Sequence, residues 1–397
     1  MKENYFFSQP HQPFFVLAFI NAIITMLLFM LSYKGILTLT ISSSLFHAYS
    51  LVFLLFTPAF LGFILTTFPR FSSTAPIEKS HYMAIVGLFF LGTLLFIVGA
   101  FLSTIIYKIA IVTIFIGEAW AVKILLDIYK SSQMTDKHDT FWILVAMVFG
   151  LLSHFIFNIS ELFGFTLQTL AIEIAIYLYL FLLAFSVAQR MIPFFSHCMI
   201  ERNKYLLKII VSLLALHIVL DIIYPNLSFI ADGALAFVIA KELFRWNLPF
   251  PNPNPLLWIL HISIFWIPIA FLFASISNLT TLIDGTTFLF LDIHILMLGF
   301  LFTVLIGFGT RVTLGHSGNM MQADKWVRKL FIWTQVVVVM RLFTSIVAAW
   351  GYNYMVLFDI SVTVWLVMFI LWGIRFFAVL IKGKKLTESK TSFSVKK

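Results

Sequence analysis

Histidine is the side chain with most chemistry to offer in this chain. His47, His154, His217, His261 and His294 fall inside stretches otherwise built of Leu, Ile, Val and Phe, and His316 follows just beyond one. An imidazole in hydrocarbon is costly unless it is paired or ligated. Neutral imidazole binds haem iron and also suits copper. Haem asks for one or two axial ligands within apolar, aromatic walls, and 47 Phe supply such walls in abundance. A His-only copper site asks for two to four imidazoles. No two of these histidines stand three or four residues apart, so any shared site must be assembled from separate helices. For one His taken alone, a hydrogen bond to a neighbouring helix explains its presence equally well.

Other polar groups share these apolar stretches. Glu118 and Glu173 sit where a carboxylate is expensive, and a hydrogen bond between helices explains each more readily than a proton relay. Arg70, Arg190 and Arg311 close apolar runs, where a guanidinium can fork onto a carboxylate or snorkel to lipid phosphate. Arg341 lies inside a run and requires a partner that the sequence does not name. Gly299, Thr303 and Gly307 recur every fourth residue, a small-residue stripe that lets a second helix approach. Counted at 3.6 residues per turn, His294 points ~140° away from that stripe. His11, His81, His138 and His197 belong to loops or span ends and read as solvated side chains.

These residues need elements to hold them. Of 397 residues, 61% are hydrophobic and 11% charged, against ~25% charged in soluble proteins. The fold class is an all-α integral membrane protein, a single polytopic domain over 1–397. Runs of ~20 apolar residues give twelve spans: roughly 14–33, 46–67, 82–102, 104–127, 141–159, 166–189, 205–224, 227–244, 256–276, 287–308, 328–350 and 355–381. The first run is too long for a secretory signal and reads as a retained helix. Lys and Arg collect in alternate connections, with Arg70 and Lys79, Lys130 and Lys137, Arg190 and Arg202, Lys241 and Arg245, and Arg311 through Lys329. The positive-inside bias puts those connections, both termini and a short basic tail over 382–397 in the cytoplasm. The net charge of +9 belongs to this topology bias and not to nucleic acid. One cysteine, Cys198, excludes an internal disulfide framework and c-type haem attachment. Pro58 and Pro268 fall within spans, where a freed carbonyl must find another donor.

Topology assigns depths. His154 lies ~20 Å from the cytoplasmic side and His294 ~25 Å above the inner interface at 1.5 Å per residue, while His47 opens its span at the outer surface. His47, His154 and His294 are therefore expected to approach one another in the outer leaflet as a metal site, with His217 at a similar depth. His261 and His316 form a smaller inner group.

The stretch Thr287–Gly318, with H-x-L-x-x-G followed by G-T-R-V-x-L-G-H-S-G, resembles the signature of the NnrS family, membrane proteins of the nitric oxide response. Phe46–Arg70 (FHAYSLVFLLFTPAFLGFILTTFPR), Gln189–Phe195 (QRMIPFF) and Leu257–Pro268 (LWILHISIFWIP) extend the resemblance in order over most of the chain. It implies a twelve-span bacterial cytoplasmic-membrane protein holding haem b and copper, with His47, His154, His261, His294 and His316 where the family places histidines. Arg190 and Arg311 are the candidate holders of haem propionates. His217 has no counterpart. The family commonly reads W-H-A-H-E-M early in the chain, whereas here Tyr49 and Ser50 replace the second His and the Glu, which weakens copper relative to haem.

The expected function is a haem-binding protein of the response to nitric oxide or nitrosative stress, with nitric oxide or its iron or thiol adducts as partners besides the lipid bilayer. The alternative is a twelve-helix transporter that couples ions or protons through intramembrane His and Glu. A terminal-oxidase-type subunit ranks below both, because the chain has no His-His pair. No residue declares a catalytic step.

Overall fold

The structure is a computed structural model and describes residues 4–198 and 200–386. Twelve long helices carry the described chain and no strand occurs among the described residues. They are α1 (His11–Tyr33), α2 (Ser43–Phe71), α3 (Lys79–Leu102), α4 (Thr104–Ser131), α5 (His138–Phe163), α6 (Gln168–Phe195), α7 (Leu206–Ile223), α8 (Phe229–Trp246), α9 (Pro255–Asp284), α10 (Leu291–His316), α11 (Lys325–Ala349) and α12 (Met355–Lys382). All but α8 are long and apolar enough to cross a membrane. Helix α8 falls short because Asp232, Lys241, Glu242 and Arg245 share its 18 residues. The protein is a multi-pass membrane bundle, and its outward Leu, Ile and Phe meet lipid. Most of the basic tail expected over 382–397 lies outside the described residues, which end at Leu386.

Both described chain ends lie on one face of the bundle, where the Tyr5 ring packs against Gly383. This is called the terminal face below, and its opposite the far face. Helices α2, α6 and α10 are the most enclosed of the spans. Each contains a π-helical run in which the backbone bonds reach five residues back: Ser50–Phe56, Ile174–Phe181 and Ile295–Phe302. Such runs are rare and concentrate at functional sites. In α2 and α10 the run ends at a threonine whose hydroxyl donates to the carbonyl five residues earlier, Thr57 to Val52 at 2.9 Å and Thr303 to Leu298 at 2.8 Å.

Pro58 follows the first of these runs and offers no N–H to the preceding turn, which includes the Leu54 carbonyl. Asn21 of α1, 2% exposed, donates its side-chain amide to that carbonyl at 2.8 Å. The donor that a proline in hydrocarbon requires is thus supplied by the neighbouring helix. The small-residue stripe of α10 packs on α9: a Cβ at Gly299 would lie 2.7 Å from Trp266 Cγ, and one at Gly307 2.8 Å from Leu260 Cδ2. The stripe and His294 face different neighbours, α9 for the stripe and His47 of α2 with Arg341 of α11 for His294, and the π run lies between them.

Candidate functional site

The far face holds the most suggestive geometry. His47 near the start of α2 and His294 near the start of α10 face each other, with ring centres 6.3 Å apart and planes within 15° of parallel. Phe29 of α1 stacks on His47 at 4.0 Å. His294 Nδ1 lies 2.7 Å from the Phe290 carbonyl. That contact requires a proton on Nδ1 and leaves the lone pair on Nε2, the arrangement of an imidazole ready to bind metal. His47 Nδ1 is buried with nothing bonded to it.

Arg341 of α11 completes this group. Its guanidinium donates to the Leu289 carbonyl at 2.8 Å and to Ser345 Oγ, and stands 3.2 Å from His294 Nδ1. It forms no ion pair among the described residues. The partner that the sequence could not name is therefore the capped start of α10 itself. Each π run begins within three residues of a polar side chain at this level, namely His47, Glu173 and His294.

His154 lies elsewhere. Its Nδ1 is 2.7 Å from Glu118 Oε2 and its Nε2 is 3.0 Å from the Tyr49 hydroxyl, with Phe53 stacked on the ring at 4.0 Å. His154, Glu118 and Tyr49 are each 0% exposed. Tyr49 follows His47 by two residues on one helix, about 200° around it, so α2 stands between His154 and the His47–His294 pair. Depth brings the three histidines to one level, but azimuth divides them. No group of three or more His, Cys, Asp or Glu comes together to hold a metal ion among the described residues. The carboxylate of Glu118 bridges to another helix, in keeping with the hydrogen-bonded reading, and its second oxygen has no partner.

His217 is also paired, donating Nδ1 to Asp232 Oδ1 at 2.7 Å, while Asn278 donates to Asp232 Oδ2 at 3.1 Å. Glu173, Asp221 and Asp292 all act electrostatically on this group.

On the terminal face, His261 lies 2.7 Å from Ser196 Oγ and keeps a buried, unpartnered Nδ1. His316 is not its neighbour. The ring beside His316 is His11, 4.8 Å between centres. His11 does not belong with the solvated side chains: it is 1% exposed, because the start of α1 inserts between α2 and α10 and its amide is held by Thr66 at 3.2 Å. His138 is also drawn inward, with both ring nitrogens buried and unbonded, while His81 and His197 are exposed. Arg190 is taken by Asp139 at 3.0 Å, which Arg202 also holds at 3.0 Å. In the adjoining loop the His138 amide and Arg202 keep the Asp136 carboxyl below its usual range. Arg311, by contrast, stacks on Phe195 at 4.0 Å and its buried Nε has no acceptor. Sequence reasoning missed His11 and Arg341 as site residues. Arg341 was signalled by an unexplained charge in mid-span; His11 gave no signal.

The three innermost helices, the facing imidazoles near the starts of α2 and α10 and the arginine behind them define a helical membrane protein built around buried histidines. The chain belongs to the NnrS family: the family model, described as NnrS protein, matches residues 5–384. A comparison with curated proteins finds no match.

Proposed function

We propose that this protein binds haem at the far face through His47 and His294 and serves in the response to nitric oxide. The observation that supports the reading is the near-parallel pair itself. Two imidazoles from different helices stand 6.3 Å apart and within 15° of parallel, close enough for both to meet one group bound between α2 and α10. The residues fit the group in two further respects. His294 presents a free Nε2 once Nδ1 is bound to Phe290, and Arg341 offers a guanidinium without a carboxylate beside that ring. His47 and His294 would hold haem b, and Arg341, rather than the Asp139-paired Arg190, would meet a propionate. Haem, when bound, would supply a redox-active iron. The chain's own contribution is to fix the rings, by the Phe29 stack and the Phe290 carbonyl, and to exclude water with Phe29.

Copper is the second occupant that this pair suits. Tyr49 has turned to His154 and does not extend the set, so haem is preferred. The Lys and Arg bias assigns the terminal face to the cytoplasm and the far face to the outside of a bacterial inner membrane. The carboxylates around His217 favour the other reading, an ion- or proton-coupled carrier. An absorption spectrum of purified protein, oxidised and reduced, separates the two: a Soret band at one haem per chain is expected. Its absence after expression with ample haem would leave the carrier reading in its place.

A further inference from the structure

A second convergence of polar groups lies on the terminal face, about 30 Å along α10 from the first. His11 opens α1, Arg70 ends α2 and His316 ends α10. The two imidazoles are 4.8 Å apart between centres, and the Arg70 charge acts on both. What distinguishes this group is its charge balance. Among the described residues no carboxylate acts on His11 or His316, whereas the buried His154 and His217 each have one at 2.7 Å. Lys385 reaches the same place, with its amine 2.5 Å from the Ser317 carbonyl and 2.8 Å from that of Gly318.

The group also has unspent hydrogen-bonding capacity. His11 is 1% exposed and its Nδ1 has no partner. At the same end of the bundle, Arg311 Nε and Gln189 Nε2 are buried donors without acceptors. A buried polar atom left unmade costs ~1–3 kcal/mol, so the open Nδ1 of His11, beside His316 and the Arg70 charge, calls for a partner. A cation would face Arg70 and Lys385 with no carboxylate among the described residues to offset them. An anion with several oxygens would satisfy them together.

We propose that His11, His316 and Arg70 form an oxyanion site at the terminal face, taking a phosphate-type group. Arg70 is exposed and meets the incoming anion at the surface, and the imidazoles receive it from within. Two sources share this chemistry, a free inorganic oxyanion and the headgroup of an anionic phospholipid. A small apolar cavity of about 30 Å³ between Phe15, Phe63, Phe308 and Gly309 lies deeper along the same three helices.

The test uses the full chain. Calorimetric titration of protein in neutral detergent with inorganic phosphate examines the free anion. Native mass spectrometry of protein released from phosphatidylglycerol or phosphatidylcholine nanodiscs examines the headgroup. Arg70→Gln and His11→Gln should each weaken the binding at least tenfold, and Lys130→Gln, a basic change at the same end of α4, should leave it unchanged. Arg70 is at the surface, so that variant remains informative even where His11→Gln fails to fold. Phosphate binding with these losses identifies a free oxyanion. Retention of phosphatidylglycerol alone, lost in the variants, identifies a lipid headgroup. If wild type holds neither, or if Lys130→Gln weakens binding as much as Arg70→Gln, the site does not exist. Haem content is read at the other face, so failure here is distinguishable from failure of the haem reading.

Discussion

His47 and His294 come from the second and tenth helices, yet their rings stand 6.3 Å apart and within 15° of parallel. The pair is held from behind on both sides, by Phe29 stacked on one ring and the Phe290 carbonyl bonded to the other. His294→Ala and His47→Ala should each abolish stoichiometric haem, read as Soret absorbance per chain, and leave a monodisperse protein. His217→Ala should leave the spectrum as it is, because His217 is spent on Asp232. Full haem retention in His294→Ala would remove it as a ligand and turn attention to His316 and His261.

His154 offers a contrast. Both of its ring nitrogens are occupied, by Glu118 and Tyr49, in a fully buried cluster. Removing one partner and leaving the others buried and unsatisfied costs ~1–3 kcal/mol. His154→Ala should therefore lower the midpoint of thermal or chemical unfolding in detergent, with the Soret position unchanged. A shifted or absent Soret band in a protein that still unfolds cooperatively would instead make His154 a ligand.

The sequence made the helices legible and much of the site illegible, for one physical reason. Hydropathy reports position along a span, so twelve helices emerged with most ends within about four residues, while α6, α9 and α10 run on to Phe195, Asp284 and His316, past the expected 189, 276 and 308. It says nothing about rotation. His47, His154 and His294 share a depth, but the two-residue step from His47 to Tyr49 places His154 on the other side of α2. The π runs also escaped notice, since they arise from packing at the bundle centre and carry no periodic signature. His11 was misjudged because a polar residue at a helix start is usually solvated, whereas the start of α1 lies inside the bundle.

Pairing across helices gives a further test. Asn21 donates to the Leu54 carbonyl, in the turn to which Pro58 offers no N–H. Asn21→Leu should cost ~1–3 kcal/mol by stranding that acceptor. Pro58→Ala restores a backbone N–H, so Asn21→Leu should cost less in the Pro58→Ala background. A double-mutant cycle on detergent-solubilised protein measures the coupling, and a coupling of zero would show that Asn21 acts only through Thr93 or its own packing.

The alternation of basic connections predicts that reporter fusions after Lys34 and after Lys137 lie on opposite sides of the membrane, with the latter in the cytoplasm. Reporters on the same side would require an even number of crossings between those points and would contradict the order of α2 to α4.

The stripe on α10 yields the last prediction. A side chain at Gly299 would start with its Cβ 2.7 Å from Trp266 Cγ, and the Trp266 indole is itself fixed by a 2.8 Å bond to Gln335 of α11. The indole cannot yield without breaking the link between α9 and α11, so the strain of a larger residue must be met by separating α9 from α10. Overpacking in a well-filled core ordinarily costs ~1–3 kcal/mol. Here it also opens the π run that follows His294. Gly299→Leu should therefore reduce the yield of monodisperse protein and the haem content together. Gly87→Leu, on an exposed face with nothing within 4 Å of an added Cβ, should be tolerated in both respects. If Gly299→Leu assembles normally and loses haem alone, the stripe does not hold the bundle together and Gly299 would instead border the cofactor.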